Sequence, residues 1–208
     1  MFEPRLYAGL NRSVNFVFMG NWIPKLVFKI AGWKAVGGIP PDVKKCVLVA
    51  APHTSNWDFV YGMCGLSLMG IKLNYLAKKE LFRFPIKGFL ISLGGIAVDR
   101  SKSNSMVDSM VKLFDENERL ILMVPPEGTR KKVDKWKTGF YYTALNAKVP
   151  ILLGILDYGK KEAYIGKLFE PTGDIKKDFE FFREFYKNAT PKNPDYFSVE
   201  CIRAAVEK

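Results

Sequence analysis

Short apolar runs recur along this chain, and stretches with helical spacing separate them. Cys46-Val47-Leu48-Val49-Ala50-Ala51 carries no charge, nor do residues 120–124 or 150–156. Apolar runs of this length, without a polar residue at every second place, read as strands buried in a sheet. Between them, Met106, Val107, Met110, Val111 and Phe114 repeat at helical spacing, so residues 103–117 read as an amphipathic helix with an apolar core face. Shorter strands are expected at 73–77, 96–98 and 163–168, the last near a sheet edge. Helices are expected at 59–69, 84–93, 139–147, 178–187 and 195–206. Strands alternating with helices predict an α/β fold, a layered mixed or parallel sheet flanked by helices. The 208 residues suffice for one such domain with its own core. The strand ends after residues 51, 98 and 124 then converge on one rim.

Residues 1–36 read differently from the rest. Phe16-Val-Phe-Met19 and Leu26-Val-Phe28 are apolar, but Asn21, Pro24, Lys25 and Lys29 interrupt them. No run approaches the roughly 20 apolar residues that span a bilayer. Trp22 and Trp33 are residues that favour a membrane interface, and Arg5, Arg12, Lys25, Lys29 and Lys34 face no acid after Glu3. The pattern predicts an arm of two short amphipathic helices, broken near Pro24 and lying on a membrane surface. It equally fits a helical pair packed on the core of the domain. Gly37-Gly38-Ile39-Pro40-Pro41 then separates this arm, 1–36, from an α/β body at 37–208.

The net charge of +11 points to an anionic partner. An anionic membrane lipid surface or an acidic carrier protein fits better than nucleic acid, because no nucleic-acid recognition motif accompanies the charge. Cys46, Cys64 and Cys201 have no metal-ligand spacing and cannot all pair, so no metal is expected and a reducing compartment is. No secretory signal is evident.

His53 is the sole histidine, and it lies where a strand gives way to a helix. Ligand sites favour such positions in α/β sheets. Asp58 follows five positions later. With Ser55 or Asn56 capping the helix, Asp58 falls in its first turn and reaches back to the imidazole. That contact fixes the tautomer and favours the imidazolium, as a general base requires. A helix-capping loop holding a satisfied histidine fits the same residues. A second strand end opens into Pro125-Pro126-Glu127-Gly128-Thr129-Arg130. Glycine there lets the backbone approach a ligand, and Thr129 and Arg130 offer donors to an anionic oxygen. A turn with surface charges is the plainer alternative.

Together these stretches resemble the glycerolipid acyltransferase family, which includes the 1-acylglycerol-3-phosphate acyltransferases. The resemblance rests on His-x4-Asp at His53 to Asp58 and on Pro-Glu-Gly-Thr-Arg at Pro126 to Arg130. It extends to Gly94-Gly-Ile-Ala-Val-Asp99-Arg100 and to Val149-Pro150-Ile151, with all four motifs in the family's order. Ala77-Lys78-Lys79-Glu80-Leu81 is similar to the family's linker. Pro52, Val124-Pro125 and Lys131 depart from common family choices, which leaves the acceptor lipid open.

The resemblance implies transfer of a fatty acyl chain from a thioester donor, acyl-carrier protein or coenzyme A, to the hydroxyl of a lysolipid. No cofactor beyond that co-substrate is expected. His53 is the implied base, oriented by Asp58, with no covalent acyl-enzyme. Arg100 and Arg130 are the implied holders of an anionic head group, since guanidinium suits phosphate oxygens. Glu127, Gly128 and Thr129 shape the acceptor site, and Lys78 or Lys79 is assigned to the oxyanion or phosphate. The expected location is peripheral, on the cytoplasmic face of a membrane.

Rival chemistries fit less well. Gly65-Leu-Ser67-Leu-Met-Gly70 only approximates a nucleophile elbow and lies inside an expected helix. No phosphate-cradling Gly-x4-Gly-Lys-Ser/Thr stretch exists. One histidine with scattered cysteines does not suit zinc. The rival from another class is a non-catalytic, peripheral lipid-binding protein, which has no need of both His53 and Asp58.

Overall fold

The computed structural model describes residues 22–98 and 106–207. After helix α1 (Trp22–Ala31) come strands β1 (Lys34–Gly37) and β2 (Lys45–Ala50), then helix α2 (Trp57–Leu68). β3 (Asn74–Lys78), α3 (Lys87–Ser92), β4 (Gly95–Val98), α4 (Met106–Glu116) and β5 (Leu120–Val124) form the middle of the chain. α5 (Gly139–Ala147), β6 (Ile151–Asp157), β7 (Glu162–Phe169), α6 (Ile175–Tyr186) and α7 (Glu200–Arg203) complete it.

The seven strands make one sheet in the order β1-β7-β6-β2-β5-β3-β4. β6, β2, β5, β3 and β4 run parallel, while β7 is antiparallel to β6 and parallel to β1. The sheet is therefore mixed, and the carboxyl ends of β2, β3, β4, β5 and β6 share one rim. Crossovers between parallel strands must pass over a sheet face, which is why helices cover both sides.

β2 shows how its sequence serves two layers. Successive side chains point to opposite faces. Val47 and Val49 join Phe114, Phe140, Phe179 and Phe182, so α4, α5 and α6 cover that face. Cys46 and Leu48 join Leu66, with Phe59 and Met63 beside them, so α2 covers the other. An uninterrupted apolar run is what a strand buried on both faces needs. α2 approaches the sheet closely at Gly65, where an added Cβ would lie 2.6 Å from the Cβ of Ala163.

The first part of the chain departs from the expected arm. Residues 22–31 form one helix that runs through Pro24, and the first of the two expected helices falls outside the described residues. Pro24 sits in its first turn, where a missing N–H breaks no helical hydrogen bond. Residues 34–37 enter the sheet as the edge strand β1, so the last residues of the anticipated arm belong to the body. Phe28 and Trp33 are buried, and Trp33 stacks on Tyr61 of α2 with centroids 4.3 Å apart. Residues 1–21 lie outside the described residues. Among the described residues, no helix is long and apolar enough to cross a membrane.

β7, expected near an edge, lies one strand in from it, with β1 outermost. The helix expected over 195–206 is broken: a 3-10 turn at Pro194–Tyr196 leads into extended Phe197, and only Glu200–Arg203 is α-helical. Phe197 and Val199 both pack on the core, which a continuous helix with one inward stripe does not provide.

Candidate functional site

β2 and β5 are adjacent parallel strands, so the loops that follow them meet at the rim. The first loop delivers His53. Asn56 begins α2 without a side-chain cap. Ser55 serves that end instead, its Oγ accepting the Trp57 N–H at 3.2 Å, while Asp58 Oδ2 gathers the loop before the helix by accepting the backbone N–H groups of Thr54 at 2.7 Å and Ser55 at 2.8 Å. The same Oδ2 lies 3.1 Å from His53 Nδ1. Asp58 Oδ1 accepts the Tyr158 hydroxyl at 2.7 Å. Asp58 is buried, and burial alone raises a carboxyl pKa. The bonds from His53, Tyr158 and Ser55 outweigh that burial and hold the Asp58 carboxyl below its usual value. The expectation of Asp58 in the first turn, reaching back to His53, matches this geometry.

The second loop supplies Glu127, only 3% exposed. Its Oε1 accepts the backbone N–H of His53 at 3.1 Å, so the two loops are joined through the histidine's own main chain. Its Oε2 has no hydrogen-bond partner. Burial pushes the Glu127 carboxyl up from 4.5 to about 7, against the bonds that favour its charge. Gly128 follows at φ +65°, a left-handed conformation that glycine takes without a Cβ clash.

A cleft of about 1250 Å³ opens at these loops. His53 and Asp58 line it, and Phe59, Leu66, Met110 and Met123 contribute apolar wall. Lys78, Thr129 and Arg130 also line it, each exposed. Lys79, exposed at the start of a 3-10 turn, is not among the lining residues. Arg100 lies outside the described residues. Lys135 and Lys137 line the cleft as well, and sequence reasoning missed both, although they close the basic stretch that begins at Arg130.

Two further residues were not foreseen. Tyr158, just past β6, is a hundred positions from the carboxylate it supports. Asn193 braces the first loop, donating its backbone N–H to Thr54 Oγ1 at 3.2 Å and its side-chain amide to the Thr54 carbonyl at 2.7 Å. Ser67, the centre of the weak nucleophile-elbow pattern, is buried within α2 rather than standing at a strand-to-helix turn. Among the described residues, no group of three or more His, Cys, Asp or Glu side chains could hold a metal.

A family model described as Acyltransferase matches residues 37–152. Among curated proteins no match is found. Among solved structures the chain is similar to the 1-acyl-sn-glycerophosphate (LPA) acyltransferase, PlsC, from Thermotoga maritima. The two are 20% identical over 80% of this chain and 73% of that one, with a TM-score of 0.54. At this identity the likeness is one of fold.

Proposed function

The chain belongs to the acyltransferase family, and from that premise we propose that it moves a fatty acyl chain from a thioester donor to the hydroxyl of a lysolipid such as 1-acylglycerol-3-phosphate. The observation that carries the reading is the 3.1 Å contact of His53 Nδ1 with the buried Asp58 carboxylate, at the wall of a largely apolar cleft. With Nδ1 engaged, Nε2 is the nitrogen left to act. It takes the proton from the acceptor hydroxyl as that oxygen attacks the thioester carbonyl. The tetrahedral intermediate collapses and expels the thiolate, which takes the proton back from the imidazolium. Asp58 stabilises the imidazolium and fixes its orientation, a role its depressed pKa suits.

Glu127 positions His53 through the main chain. Arg130, Lys78 and the rim lysines Lys135 and Lys137 provide cations for a phosphate or other anionic head, and Arg100 is assigned the same role. The apolar wall suits an acyl chain. Donor type, acyl-carrier protein or coenzyme A, follows from neither charge nor cleft, so both are to be assayed. We place the protein at the cytoplasmic face of an anionic membrane, held by apolar contact and the basic residues of its first 36 positions. The exposed Trp22, Leu26 and Ile30 along one side of α1 support that placement.

The test is a panel of lysolipid acceptors, with and without a phosphate head, assayed with both donors. Turnover of a lysolipid with either donor, lost in His53→Ala, supports the proposal. An intact His53→Ala enzyme refutes the mechanism. Vesicle binding with no turnover on any acceptor favours a non-catalytic lipid-binding role.

A further inference from the structure

A second apolar surface lies far from α1 in the sheet. Between β3 and β4, residues 81–91 expose Leu81, Phe84, Ile86, Phe89 and Ile91 to solvent. Phe84 is 96% exposed and Phe89 59%. Single exposed apolar residues are ordinary, but five in eleven positions form a patch of the kind that marks an interaction surface. α1 packs on α2 beside the β1 edge of the sheet, whereas α3 packs beside β4, the opposite edge.

The charges around this patch select the partner. Lys78, Lys79, Arg83 and Lys87 lie in or next to it, against Glu80 as the one acid between residues 78 and 91. Aromatic and aliphatic side chains framed by cations complement an anionic bilayer, where rings enter the interface and ammonium groups stay at head-group level. The patch is also continuous with the cleft, because Lys78, Leu81 and Leu90 line it. A bilayer meeting residues 81–91 therefore meets the cleft wall.

We infer that residues 81–91 are a membrane-docking segment for an anionic phospholipid surface, separate from α1 and set at the opposite edge of the sheet. Phe84 and Phe89 enter the lipid, and Arg83 and Lys87 contact the head groups. The inference concerns binding and stands apart from the catalytic reading, since vesicle attachment is read without turnover.

Gly88 gives a direct probe. It is exposed within α3, and a Cβ there meets nothing within 4 Å. The native cysteines are all buried, so a Gly88→Cys protein takes a thiol-reactive, environment-sensitive fluorophore at that position. With phosphatidylglycerol–phosphatidylcholine vesicles the label should shift to the blue, and much less with phosphatidylcholine alone. The double variant Phe84→Ser, Phe89→Ser in the full chain should partition into anionic vesicles at least about tenfold more weakly, from the lost apolar burial. Arg83→Ala with Lys87→Ala should cost roughly fivefold per charge on anionic vesicles only. Far-ultraviolet circular dichroism checks that each variant keeps its fold. No label shift on anionic vesicles, or wild-type partition by the serine variant, overturns the inference. A label shift that instead follows protein concentration without vesicles assigns the surface to a second copy of the chain, and overturns it equally.

Discussion

Tyr158 donates its hydroxyl to Asp58 Oδ1 at 2.7 Å while His53 occupies Oδ2, so one carboxylate is held from both sides. The Tyr158 bond is among those that depress the Asp58 pKa. Tyr158→Phe should therefore raise that pKa and leave the carboxylate less firmly oriented. A neutral donor to a charged acceptor contributes about 1.5–3 kcal/mol. With part of it reaching the transition state, kcat should fall roughly three- to tenfold, and the acid limb of the kcat/KM profile should move to higher pH. An unchanged profile would limit Tyr158 to packing.

His53→Ala should lower turnover by the roughly 10²–10⁴-fold typical of a lost acid–base group, with thermal unfolding little changed. Asp58→Asn should also be slow. It should lose stability as well, because its buried carboxylate accepts the backbone N–H groups of Thr54 and Ser55 and so holds the loop before α2. Steady-state kinetics beside a melting curve separates the two effects.

Glu127 links stability to pH in the opposite sense from most carboxylates. Its pKa rises from 4.5 to about 7 on folding, so between those values the folded state holds a proton that the unfolded chain has released. Its contribution is present in full below about 4.5 and is lost as pH rises through about 7. Glu127→Gln should flatten the fall in stability over that window, measured by urea denaturation at a series of pH values. Asp58 works the other way: its contribution is present at neutral pH and is lost on acidification.

Arg130→Ala should raise KM for a phosphorylated acceptor about tenfold or more, from loss of a charge-assisted bond. An acceptor without the phosphate should show little change. An equal rise for both acceptors would remove Arg130 from head-group binding.

Trp33 ties the first helix to the body by stacking on Tyr61 and meeting Tyr158 edge-on at 4.9 Å. Trp33→Ala should cost about 3–5 kcal/mol in denaturant titrations, as buried aromatics do. A chain starting near Gly37 also loses β1 and should be less stable still. A comparison of vesicle binding therefore needs a chain that begins at Trp22.

The legible parts of this molecule were the local ones. His53 and Asp58 are five positions apart, close enough for one strand–helix junction to bring them together, and the apolar run of β2 announced its burial. The four-residue β1, Lys34–Gly37, has no pattern of its own and exists because β7 offers it a ladder. Its sequence alone does not set it apart from the arm. Tyr158 and Asn193 reach the site across a hundred or more residues, and no spacing rule predicts that. The motif at residues 126–130 marked its own loop but not its link to the His53 main chain, which depends on β2 and β5 lying side by side.

The grip of Asn193 on Thr54 has a consequence for the order in which the protein comes into being. The two residues are 139 positions apart, so the ribosome releases the histidine loop long before its brace exists. A nascent chain halted within α6 already carries His53, Asp58, Glu127 and Tyr158, yet the hydroxyl and carbonyl of Thr54 still lack the Asn193 contacts that brace the loop.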